Sequence, residues 1–302
     1  MSFSASDVKN LREKTGVGMM ECKKALTETG GDMDKAVDWL REKGLAAAAK
    51  KGDRIAAEGL VATATVGNVG VIAEVNSETD FVAKNQDFQD FVTNIANTIA
   101  EKNPANVEAL LQAQISNGNE SVEATLQEKI LVIGENIKIR RFNRVEGVNV
   151  TYVHGEGRIG VLVNFDTDAK ATENAEFVAM GRDIAMQIAA INPQYLNIAD
   201  IPDDVLEKEK AILTEQMIGE GKPAQIIEKI VGGKLQKFYK ENCLIEQAFV
   251  KDNDITIKNL LEQKSAELGF NVAINSYTRF ERGEGLEKKE DDFAAEVAKM
   301  TQ

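Results

Sequence analysis

Histidine is nearly absent from this chain. One residue in 302, His154, leaves no room for a histidine-rich metal site or an HExxH zinc motif. The other common signatures of catalysis are missing too. No GxxxxGKS/T phosphate loop occurs; Thr15-Gly16-Val17-Gly18 followed by Lys23-Lys24 has the wrong spacing. Neither GxGxxG at a strand-to-helix turn nor a GxSxG elbow is present. The two cysteines, Cys22 and Cys243, belong to no CxxC pair, so free thiols in a reducing compartment are expected. Apolar runs such as residues 46–49 and 130–133 fall far short of the roughly 18 residues that span a bilayer. The start, MSFSASDVKN, has neither a basic nor an apolar signal region, so a cytoplasmic protein off the membrane is expected. A net charge of −13 argues against nucleic acid as the main partner, because neutralising phosphates takes clustered Lys and Arg. No enzyme activity, metal or cofactor is expected from these residues.

What is present reads as an α+β chain of several units. Residues 1–54 form a small helical domain with its linker. Ser4 to Thr15 carries Val8 and Leu11 on one face, and a turn follows at residues 15–18. A second helix from about Met19 to Thr27 holds Cys22, Ala25 and Leu26. Asp32 caps a third helix with Ala36, Val37, Trp39 and Leu40, which is expected to stop at Gly44. Residues 46–54 then read as a linker or a helical extension. Three short helices with few apolar residues each suggest a bundle like ubiquitin-associated domains. Met19 and Met20 are consecutive and cannot both face inward on one helix, so one is expected at the surface.

From Ile55 the apolar period changes from helix to strand. Residues 59–66 alternate, Gly67-Asn68 turns, and residues 70–75 return as a second strand. A helix from about Asp87 to Lys102 carries Phe88, Phe91, Val92, Ile95 and Ile99. The arrangement then recurs. Strands at 148–152 and 158–165 flank a turn at residues 154–157, with Gly157 and Gly160 matching Gly67 and Gly70 at an offset of 90. Phe177, Met180, Ile184 and Ile188 match Phe88, Phe91, Ile95 and Ile99 at an offset of 89. This is read as an internal duplication: one core subdomain at 55–146, and a related one at 147–198 and 241–284.

Residues 199–240 interrupt the second copy. A helix from Asp203 to Gly219 and another after Pro223 carry opposite charge: six acids and two bases over 203–221, five bases and one acid over 222–240. Antiparallel pairing of the two would make a protruding helical hairpin, a coiled-coil arm, with a buried hairpin as the alternative. The acid pairs Asp203/Asp204 and Asp291/Asp292 sit where helices start and are explained by the helix dipole. Residues 285–302 are expected to close the chain with an amphipathic helix bearing Phe293, Val297 and Met300.

The segment between the second strand and its helix, residues 76–86, is polar apart from Phe81, Val82 and Ala83. Phe81-Val82 is either a hydrophobic staple fixing the start of the helix or a partner contact. The aligned stretch of the second copy, residues 166–172, has no Phe, which favours a task for Phe81 beyond folding. His154, in its turn, is either locally bonded or a partner contact. By composition alone, an adaptor working through its helical bundle, or an enzyme with an unfamiliar site, is also open.

Several stretches in order resemble the elongation factor Ts family over essentially the whole chain: LREKTGVGMMECKKAL (11–26), GVIAEVNSETDFVAKN (70–85), IGENIKIRR (133–141), HGEGRIGVLV (154–163), EGKP (220–223) and RFERGEGLEKKEDDFAAEVAKM (279–300). The resemblance implies a guanine-nucleotide exchange factor that binds elongation factor Tu in its GDP-bound and nucleotide-free forms. It implies that Thr79, Asp80, Phe81 and Val82 approach the partner's nucleotide site, with Phe81 as a wedge that disturbs the bound magnesium ion and phosphate loop. Val17, Gly18, Met19, Met20 and Lys23 would sit on the partner's GTPase domain, as would Phe293 and Val297. His154, with Ile133 and Gly134 taken to lie near it, would meet another domain of the partner. Residues around 165–175 depart from shorter members and inherit no role.

Overall fold

Ser4 starts the first helix with a reciprocal cap: its hydroxyl accepts the Asp7 N–H at 3.2 Å while the Asp7 carboxylate accepts the Ser4 N–H at 2.7 Å. The computed structural model describes residues 3–287, and the expected C-terminal helix with Phe293 and Val297 lies outside them. Helices α1 (Ala5–Thr15), α2 (Met19–Glu28) and α3 (Met33–Lys51) bury Val8, Leu11, Val17, Cys22, Ala25, Leu26, Ala36 and Leu40 against one another.

Strand β1 (Glu58–Val66) pairs antiparallel with β2 (Val69–Ser77) through the Gly67-Asn68 turn. A single turn, α4 (Asp80–Ala83), leads into α5 (Gln86–Lys102). Then α6 (Val107–Gln112) and α7 (Val122–Ile133) precede β3 (Lys138–Glu146), which pairs with β2 in a sheet of order β1-β2-β3. Val71, Val75, Phe88, Phe91, Val92, Ile95 and Ile99 fill the space between sheet and helix.

The second copy runs β4 (Val148–His154), β5 (Ile159–Thr167), α8 (Ala175–Ile191), the inserted α9 (Asp203–Gly219) and α10 (Ala224–Asn242), a ribbon of β6 (Ala248–Phe249) and β7 (Asp252–Thr256), α11 (Ile257–Leu268) and β8 (Val272–Glu281). Its sheet has the order β4-β5-β8. The two copies agree in detail. Helices α5 and α8 are each 17 residues, capped by Asn85 and Asn174 and ended by left-handed Asn103 and Asn192. Helices α7 and α11 are each 12 residues, capped by Ser121 and Thr256 and ended by left-handed Gly134 and Gly269. The register shifts at Glu74/Val75 in the first sheet and at Asn164/Phe165, 90 residues on, in the second. The duplication therefore includes α7/α11 and β3/β8, which the sequence pattern left unpaired.

The matched glycines are where the two sheets meet. A Cβ on Gly70 would lie 2.6 Å from Leu162 Cδ1, and one on Gly160 2.5 Å from Val61 Cγ1. Val61, Ile72, Leu162 and Phe280 form the shared cluster. One expectation needs correction. Helix α3 does not stop at Gly44 but runs on to Lys51. That glycine is buried where α7 crosses, and a Cβ there would meet the Gln127 carbonyl oxygen at 3.4 Å. Helices α9 and α10 do pair, but no ion pair joins them among the described residues; Leu213, Met217, Ile227, Val231 and Leu235 make an apolar seam instead.

Candidate functional site

Strand β2 is buried along its whole length up to Ser77, after which the chain must turn to start α5 over the sheet. The turn is held by acceptors from outside it. One Glu135 carboxylate oxygen accepts the N–H groups of Glu78 and Thr79, both at 3.0 Å, and the other accepts the Thr79 hydroxyl at 2.6 Å. Glu78 answers in kind: its carboxylate accepts the Asn136 N–H at 2.6 Å and the Arg54 guanidinium at 3.3 Å. The Ser77 hydroxyl donates to the Thr79 carbonyl at 3.0 Å. Thr79 stands at the N-cap of α4, yet its side chain makes no cap bond; its hydroxyl donates to Glu135.

Within the four residues of α4 the apolar side chains divide. Val82 and Ala83 turn into the core, while Phe81 is 78% exposed. Val82, not Phe81, therefore does the stapling. Asp80 bridges to Lys84 at 2.8 Å, and the Lys84 amine stands 5.9 Å from the Phe81 ring. That hydrogen bond is the main reason the Asp80 carboxyl is held below the usual range and the Lys84 amine above it; both groups lie at the surface.

The remaining sequence candidates fall around this corner unevenly. Gly18 precedes α2, and Lys23 and both methionines are exposed, Met20 at 73% and Met19 at 45%. A methionine was expected at the surface and both are there, because Val17, Cys22, Ala25 and Leu26 already fill the bundle. Val17 is itself buried, so it supports Gly18 to Met20 from beneath instead of presenting its side chain. The end of α7 links bundle and corner. Leu131 and Val132 pack on the bundle, Ile133 on the first sheet's core, and Gly134 ends the helix with φ +86° immediately before Glu135. Ile133 and Gly134 thus adjoin the Thr79 corner through Glu135. His154, with which the sequence reading grouped them, stands at the exposed end of β4 on the other sheet, its Nδ1 2.9 Å from the Tyr152 hydroxyl. The Gly157 carbonyl in the following turn accepts the Val61 N–H at 2.8 Å, tying the second copy to the first.

Glu78, Glu135 and Arg54 were not found as site residues from sequence. Glu135 lies in IGENIKIRR, but nothing in its local pattern ties it to a segment 56 residues earlier. Among the described residues no group of three or more His, Cys, Asp or Glu is placed to hold a metal ion, and no helix is long and apolar enough to cross a membrane.

Comparison with known proteins bears on the same residues. A family model described as Elongation factor TS matches residues 78–284. The chain is 48% identical over 304 residues to the elongation factor Ts of Syntrophotalea carbinolica, covering 100% of both chains. It is 51% identical over 303 residues to that of Clostridium perfringens strain SM101, covering 99% of each. With that of Clostridium kluyveri strain DSM 555 it shares 52% over 304 residues, covering 99% of this chain and 98% of the other.

Proposed function

The chain belongs to the elongation factor Ts family and is thus a translation elongation factor, and from that premise we propose that it is a non-catalytic guanine-nucleotide exchange factor for elongation factor Tu. It binds the GDP-bound partner, promotes GDP release ahead of GTP reloading, and holds the nucleotide-free form. Thr79 to Val82 approach the partner's nucleotide site. Phe81 enters between apolar side chains of the GTPase domain, Asp80 makes the adjacent polar contact, and the displacement loosens the magnesium ion and the phosphate loop. Gly18, Met19, Met20 and Lys23, backed by Val17, rest on the same GTPase domain, as do Phe293 and Val297. His154 meets a second domain of the partner, and Ile133 with Gly134 backs the corner.

One observation carries this reading: a phenylalanine left 78% exposed on a turn that is pinned by Glu135 and whose other apolar side chains, Val82 and Ala83, are buried. Leaving a large aromatic ring in water forgoes roughly 1.5–3 kcal/mol of burial, which a partner pocket can recover. Exchange needs no bond to be made or broken. If the factor and the nucleotide weaken each other's binding, the coupling is reciprocal, and each tenfold loss of nucleotide affinity corresponds to about 1.4 kcal/mol. The contact must therefore favour the nucleotide-free state over the bound one. The test is release of a fluorescent GDP analogue from elongation factor Tu with and without this protein. Faster release is expected; an unchanged rate overturns the proposal.

A further inference from the structure

The two copies share a three-stranded sheet and the helix pairs α5/α8 and α7/α11, and they differ at the corner. On the register of the sheets, Val75 pairs with Ile139 and its counterpart Phe165 with Ile274, so β3 and β8 are offset by 135. Gly134 then corresponds to Gly269, both left-handed helix ends, and Glu135 to Phe270. In the second copy that position carries an apolar ring, half-buried and 6.3 Å from Phe177. The position of Phe81 corresponds, on the offset of the helices, to exposed Lys170, and that of buried Val82 to buried Ala171. The unit therefore folds with neither a carboxylate at the one place nor an aromatic at the other. The copies differ at both places, and the two differences meet: Glu135 binds the two residues that open the turn bearing Phe81.

We propose that Glu135 is a positioning residue for nucleotide exchange, its carboxylate fixing the direction in which Phe81 leaves the surface. A four-residue helix has too few internal hydrogen bonds to hold itself in water. The usual N-cap bond is also not made here; the Thr79 hydroxyl donates to Glu135 and accepts from no backbone N–H of α4. What orients α4 at its start is thus the Glu135 carboxylate with its three donors, joined by the Ser77 hydroxyl on the Thr79 carbonyl. Behind it, Gly134 ends α7, which is seated between the bundle and the first sheet. A wedge that must disturb a neighbouring site gains from arriving in one orientation, because any freedom it keeps must be lost on binding.

The inference rests on the exchange reading above, and its test separates the two. Glu135→Ala is compared with wild type, Phe81→Ala and the double variant for the maximal rate of GDP release at saturating factor. Glu135→Ala should lose about tenfold, as a misdirected contact group does. The double variant should be no slower than Phe81→Ala alone, since Glu135 acts through the ring. Glu135→Gln keeps one oxygen for the two N–H groups and an NH2 that can donate to the Thr79 hydroxyl, but loses the charge that strengthens these bonds, and should fall between. A second readout needs no partner: amide hydrogen exchange at Glu78 and Thr79 should quicken in Glu135→Ala while the amides of β2 stay protected. Wild-type release from Glu135→Ala, effects that multiply in the double variant, or unchanged exchange at Glu78 and Thr79 would each overturn the positioning role. Absence of any acceleration by the wild-type protein would instead remove the exchange reading, leaving the amide result to decide whether Glu135 fixes the turn.

Discussion

Phe81 and Val82 are adjacent, apolar and on one helical turn, yet they answer to different demands. Val82 fills a site that the fold requires, because the second copy fills it too, with Ala171. Phe81 occupies a place where the second copy carries exposed Lys170. Phe81→Lys should therefore leave stability within about 0.5 kcal/mol of wild type, as surface substitutions do, while abolishing most of the acceleration of GDP release. Urea midpoints and the fluorescent GDP assay read the two effects separately; a large loss of stability would show that the ring has a packing role. The aromatic corner was legible in the sequence because the duplication supplied an internal control. Glu135 was not: a carboxylate in a loop reads as a solvated charge until its hydrogen-bond donors are known. His154 could not be resolved by sequence either, and the structure finds it locally bonded to Tyr152 and exposed.

At the scale of elements, apolar periodicity gave the three helices of the bundle, α5, α8, α9, α10 and the two strand hairpins, because each buries one face; α6, α7 and α11 went unread. It failed where a residue's role depends on a neighbour distant in sequence. Gly44 looked like a helix stop, but it is a point of close approach to α7. Strand β3, KIRRFNRVE, went unseen because four of its nine residues are Lys or Arg; three of those, Arg140, Arg141 and Arg144, are engaged by acceptors in the fold. Gly70 and Gly160 were legible as a matched pair, though not as the reason the sheets can touch. Gly160→Ala would bring a methyl to 2.5 Å from Val61 Cγ1 and 3.2 Å from Ile72 Cδ1. Overpacking of this kind costs typically 1–3 kcal/mol. Chemical denaturation should show that loss for Gly160→Ala. The control is Gly67→Ala: its left-handed φ of +59° carries strain but no neighbour lies within 4 Å, so a smaller loss is expected. Equal losses at both sites would mean that the sheets adjust freely to one another.

The molecule as a whole is joined through a buried charge. Glu74, fully buried at the bulge of β2, accepts from Arg140 at 3.0 Å, Arg141 at 2.6 Å, Asn76 at 3.1 Å and the Gly283 N–H at 2.8 Å, so one carboxylate ties the first sheet to the chain leaving β8. Arg141 also lies over the Phe280 ring, 4.2 Å from its centre, and Arg282 completes the joint by donating to the Gly59 carbonyl. The counterpart of Glu74 is Asn164, uncharged at the matching bulge, so this ionic joint is again confined to the first copy. Burial alone would push the Glu74 carboxyl up, but the Gly283 N–H, the Asn76 amide and the two guanidinium groups outweigh it and hold it below its ordinary value of 4.5. A carboxyl depressed in the folded state stabilises fully above its unfolded value, and the contribution fades as pH falls through the folded one. Glu74→Gln leaves two arginines facing a neutral amide, and removing one partner of a buried pair costs about 3–5 kcal/mol. The stability gap between wild type and Glu74→Gln, read from urea midpoints, should be constant from pH 7 to about pH 5 and narrow below 4.5 as wild type takes up the proton. A gap that persists undiminished at pH 3 would mean that the cost of Glu74→Gln lies in altered packing and not in the lost charge.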